Sequence, residues 1–160
     1  MTAAAVAPER EALAFFLAAQ RSSVLAIVDG LTDEQLSRTI VPSGWTLAGL
    51  IEHLGDAERV WFQNVIADES TDEPGDAPTL TVAEALAYYL ACIARSDDIL
   101  GATPLDAQPA ARPMVDIGIP YEVMTVRDVV LHLIEETARH AGHLDIAREL
   151  IDGRIGLGPR

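Results

Sequence analysis

The chain has 160 residues, 49% of them apolar, and a formal charge of −14 with a pI near 4.4. That length fits one domain, core 8–153, able to bury roughly two thirds of its unfolded surface. So acidic a surface, with no lysine and 11 arginines, lacks the clustered cations that nucleic acid or an anionic membrane would need, and neither is an expected partner.

Cysteine usage and the N-terminus bound the compartment. The single Cys92 excludes an internal disulfide, so a reducing cytoplasm is the default. Its setting, YYLACIA, reads as a small buried hydrophobe. The opening MTAAAVAPERE has neither a basic start nor a long apolar run, so no signal peptide is expected. No uninterrupted apolar run approaches the about 18 residues of a membrane span, so none is expected.

Four helices follow in chain order. The first is predicted from Pro8 or Glu9 to Asp29, with a stripe of Leu13, Phe16, Leu17, Leu25 and Val28 and a stop at Gly30. A connection with a short helical turn over 32–36 leads to the second helix, which starts after Thr46 and carries Leu47, Leu50, Ile51, Leu54, Trp61 and Val65. Residues 67–79 are acidic and rich in Pro and Gly, a solvated loop. The third helix is predicted over 82–100 after Thr81, and 101–124 is a long irregular connection of the kind that often carries function. The last helix starts after Thr125 and runs to Asp152, with Gly153 as terminator. Alanine and leucine are common, β-branched runs are few, and the fold class is all-α, a four-helix bundle.

The chemistry concentrates in LHLIEETARHAGHLDIAREL, residues 131–150. His132, Glu136 and His140 are spaced by four, and His143 follows three later, so several of them share a helix face. At about 100° per residue, His140 falls inside the apolar stripe of Val126, Val130, Leu133, Leu144 and Ile151. Glu136 and His143 fall on one flank, His132 further round, and Glu135 toward solvent. Burying an unpaired carboxylate is costly, so an inward Glu136 needs a partner. A metal ion and a hydrogen-bonded His–Glu pair both meet that need, and His143 competes with Glu136 as second ligand. Eight residues of helix separate His132 from His140, about 12 Å, so His132 reads as a supporting or interface group. His53, beside Leu50, Leu54 and Ala57 on the second helix, is the one further histidine. Asp56, a turn later, is placed either to orient its ring or to face solvent. Arg139 is placed to meet an anionic substrate or to pair with Glu135. Trp45, Trp61, Tyr88 and Tyr89 read as core or interface aromatics.

Two stretches, SGWTLAGLIEHLGDAERVWF at 43–62 and TVRDVVLHLIEETARHAGHLDIARELIDG at 125–153, resemble the DinB-like superfamily, and within it the mycothiol S-transferase-like branch. The resemblance implies an up-down-down-up bundle with a divalent metal held by a triad from the second and last helices. Some members use three histidines; thiol-dependent isomerase relatives replace one by glutamate. Carried over, the implied ligands are His53, Glu136 and His140, with His143 and Arg139 as co-substrate-binding groups. Three protein ligands leave an open position, and nitrogen and carboxylate donors favour zinc, then nickel. The implied activity is transfer of a low-molecular-weight thiol, mycothiol, to an electrophile or unsaturated acid, in a cytoplasmic homodimer. A zinc hydrolase using bound hydroxide and a non-enzymatic helical dimer with a polar or sensory metal cluster are the alternatives the residues leave open.

Overall fold

The computed structural model of the chain describes residues 3–69, 80–111 and 123–156. Its elements are α1 (Ala3–Val28), α2 (Asp33–Leu36), α3 (Leu47–Glu58) continuing as a π-helix (Arg59–Ile66), α4 (Val82–Ala102) and α5 (Val126–Asp152). The described residues contain no strand, so the chain is all-helical. Most of the 67–79 loop, part of the 101–124 connection and the end of the tail lie outside the described residues.

Local chemistry explains the helix ends. Thr81 and Glu84 form a reciprocal capping box at α4, and Thr32 with Gln35 does the same at α2. The Thr46 hydroxyl accepts from the Gly49 N–H at 3.0 Å, and Asp128 accepts from the Thr125 N–H at 2.9 Å. Each satisfies an N–H that a helix start leaves open. Gly153, at φ +78°, takes the left-handed turn that ends α5 and donates to the Glu149 carbonyl at 2.9 Å.

Two elements differ from the sequence reading. α1 begins earlier than Pro8, which lies inside the helix. Proline there forfeits one N–H bond, but close enough to the N-terminus for the helix to persist. α3 widens into a π-helix, marked by the Ala67 N–H bonding the Phe62 carbonyl at 3.1 Å, over a segment that buries Trp61, Phe62, Val65 and Ile66. Such widened turns are frequent at functional sites. No uninterrupted apolar run reaches span length, yet residues 8–28 of α1 are by length and composition apolar enough to cross a membrane, with a mean hydropathy of 1.4. Its apolar average survives the scattered charges that interrupt any continuous run. Core helices of soluble proteins pass the same test.

The chain forms two compact units, one from residues 1–50 and 132–160, the other from residues 51–131. In the first, α1 and α5 run in the same direction. The C-terminal end of α1 meets the C-terminal end of α5, where Arg148 donates to the carbonyls of Ile27 (2.7 Å) and Asp29 (2.8 Å). Leu17, Val24, Ile27, Leu133, Leu144 and Ala147 fill the core of this unit.

In the second unit, α3 with its π-helix and α4 also run in the same direction. Gly55 lies against Tyr88, and further along Glu69 pairs with Arg95. A β-carbon on Gly55 would come within 2.7 Å of the Tyr88 ring, so only glycine admits this approach. Parallel successive helices need a connection that returns the chain by one helix length. The residues between Ile66 and Val82 can span about 50 Å, more than the about 30 Å required. After α4, the backbone at 105–107 accepts hydrogen bonds from the Val126 and Arg127 N–H groups, anchoring the start of α5.

Arg148 is 4% exposed and also forks onto Asp152 at 2.9 and 3.1 Å. Arg148→Met is expected to lower unfolding free energy by about 3 kcal/mol, since it strands two carbonyls and a carboxylate. Urea denaturation checks this, and an unchanged midpoint contradicts it.

Candidate metal centre

On α5, Glu136 and His140 meet as the four-residue spacing requires. His140 Nε2 lies 2.9 Å from Glu136 Oε1, and the two side chains are only 15% and 21% exposed. The other ring nitrogen of His140, Nδ1, lies 3.3 Å from His143 Nδ1. The His143 ring in turn faces Trp45, centroids 6.1 Å apart. A carboxylate, two imidazoles and an indole thus form one continuous row within this unit. Both nitrogens of His140 have a defined neighbour, and a hydrogen bond to one nitrogen fixes which of the two can act as a ligand.

The surrounding groups sort themselves by exposure. Arg139 pairs with Glu135 at 3.1 Å, both side chains about 60% exposed. His132 is half-buried, and burial pushes its imidazole below the usual value of 6.5 despite the opposing pull of Glu136 and Glu135. His132 therefore stays neutral near pH 7.

In the other unit, His53 is an exposed residue of α3, next to buried Leu54. Asp56, one turn on, is engaged with Tyr88 and Arg59. Its carboxylate accepts from the Tyr88 hydroxyl at 2.8 Å, and Arg59 Nε donates to the same hydroxyl oxygen at 2.9 Å. Burial, reinforced by Asp56, raises the Tyr88 pKa far above the phenol range. Cys92 is buried, as its apolar setting implied, and burial pushes its thiol up as well. A neutral, enclosed thiol is a poor nucleophile. Trp45 and Tyr88 were legible only as generic aromatics, because nothing in their spacing announces a polar partner.

The His132 shift has a consequence for pH. A histidine whose folded pKa is depressed contributes stability that is full above its unfolded pKa and lost as pH falls below it. Wild type is expected to lose stability between pH 7.5 and 5.5, and His132→Gln to lose less, by thermal denaturation. Parallel pH profiles for the two proteins contradict this.

A family model described as mycothiol-S-transferase matches residues 12–153. No curated protein matches the chain. The match covers both the α3 segment with His53 and the α5 segment with Glu136, His140 and His143, and the chain belongs to the mycothiol-S-transferase family.

Proposed function

We propose that this protein is a divalent-metal-dependent thiol S-transferase in which His53, Glu136 and His140 hold the ion. The observation that carries the reading is the Glu136–His140 pair on α5, 2.9 Å apart and partly enclosed, in a chain that the family model matches over 12–153; His53 on α3 is the third ligand that the family resemblance implies. Two imidazoles and a carboxylate, with bonds of about 2.0–2.2 Å, are the donor set of a zinc site with an open position. Zinc leads on donor chemistry and nickel follows. When bound, such an ion lowers the pKa of a thiol in its open position and supplies thiolate at neutral pH.

The chain's own residues then have defined tasks. Glu136 sets a negative charge beside His140 and favours a cation there. His143, next to His140 Nδ1, accepts that nitrogen's proton in a hydrogen bond, which leaves Nε2 as the donor atom. Trp45 shields His143 on its far side. Arg139, exposed one residue before His140, is the cation proposed to meet an anionic group of the co-substrates. Cys92 is enclosed and its thiol is pushed up by burial, so the attacking sulfur comes from a small-molecule thiol, and the family match supports mycothiol. Its acceptor is a small electrophile or unsaturated acid. The reading places the protein in the cytoplasm as a homodimer, built as an up-down-down-up four-helix bundle and acting on neither nucleic acid nor membrane.

The test is thiol consumption with monochlorobimane as electrophile. Wild type is expected to need both mycothiol and a divalent metal, and His53→Ala, Glu136→Ala or His140→Ala to lose about 100-fold or more. His143→Ala is expected to weaken metal affinity about 10- to 100-fold. Equal rates in wild type and His53→Ala overturn the proposal. Ester or amide turnover without thiol would instead support a metal-dependent hydrolase, and absence of any metal a polar cluster.

A further inference from the structure

His53 lies in the second half of α3, shortly before that helix widens. The direction in which a helix presents a side chain depends on how its backbone turns. α3 changes its turn at Arg59, where i→i+5 bonds take over from i→i+4. Moving that switch by one residue would rotate His53 relative to the buried Trp61, Phe62 and Val65 beyond it. A ligand from this helix therefore needs the switch held in one place.

A single hydroxyl of α4 holds it. Tyr88 donates to Asp56 Oδ1 at 2.8 Å, and its oxygen accepts from Arg59 Nε at 2.9 Å. Asp56 belongs to the last α-helical turn and Arg59 is the first residue of the π-helix. One oxygen atom thus ties both sides of the switch to the neighbouring helix. Arg59 Nη2 lies 3.5 Å from the same Asp56 oxygen, and the Arg59 side chain is only 11% exposed, which closes the knot.

The anchor is itself well fixed. The Tyr88 ring lies against the bare backbone of Gly55, two residues after His53. Burial first, and Asp56 after it, hold the phenol proton in place, so Tyr88 is a steady donor. His53, Gly55, Asp56, Arg59 and Tyr88 all belong to the unit formed by 51–131.

We propose that Tyr88 is a positioning residue for the metal centre: through Asp56 and Arg59 it holds the α-to-π switch, and with it the direction of His53. The inference rests on the metal-binding reading above. The test is titration of the full chain with cobalt(II), read by visible absorption, with thermal midpoints measured in parallel. Wild type is expected to bind one equivalent. Tyr88→Phe keeps the ring on Gly55 and removes the hydroxyl. It is expected to bind cobalt about tenfold or more weakly, with a spectrum displaced toward that of His53→Ala and a midpoint near wild type. Asp56→Ala is expected to do the same, whereas Asp56→Asn, which keeps an acceptor oxygen, stays close to wild type. Absence of cobalt binding by wild type overturns the metal reading itself, and this inference with it. Binding by wild type with unchanged affinity and spectrum in Tyr88→Phe overturns the role of Tyr88 alone. So does an Asp56→Asn as weak as Asp56→Ala, or a loss of affinity that merely follows a loss of thermal midpoint.

Discussion

A carboxylate and an imidazole one helical turn apart, both turned into the shielded flank of α5, set the terms for the rest of this protein. Glu136 is partly enclosed, and His140 at 2.9 Å is a group that compensates its charge. That constraint fixes the rotation of α5 about its axis. Once Glu136 and His140 face this flank, Leu133, Leu144 and Ala147 must face the core and Glu135 and Arg139 must face solvent, as they do. Arg148 then fixes the axial position of α5 against α1 by holding the last carbonyls of that helix. One helix thereby serves packing on one side, carries the Glu136–His140 pair on another and borders a groove on the third.

The division of labour among the four histidines follows from burial and neighbours rather than from residue type. His140 has an acidic neighbour on one nitrogen and an imidazole on the other, the arrangement that fixes a tautomer. His143 is exposed and leans on Trp45. His132 is neutralised by burial. A buried Cys92 with a raised pKa offers no competing nucleophile, which suits a protein of a family named for an external thiol.

Much of this was legible before any coordinates. The four-residue spacing of Glu136 and His140 dictated their contact, and threonines at 46, 81 and 125 marked helix starts because their hydroxyls complete open backbone N–H groups. Gly153 marked the end of α5 for the converse reason. The π-helical segment was not legible, since periodicity cannot distinguish 3.6 residues per turn from a wider turn over so few residues. Asp56 was read either as orienting His53 or as facing solvent, and its hydrogen bond from Tyr88, thirty-two residues away, was visible to neither reading. Helical spacing is local information; the choice between partners three residues and thirty residues away is not.

The central claim is that two imidazoles and a carboxylate share one ion, and X-ray absorption at the metal edge of protein purified from metal-replete culture tests it most directly. The account predicts one divalent ion per chain with two nitrogen neighbours at about 2.0–2.1 Å and at least one carboxylate oxygen, and loss of one nitrogen neighbour in His53→Ala. Protein that binds no divalent ion, or binds one with the same shell after His53→Ala, would contradict it.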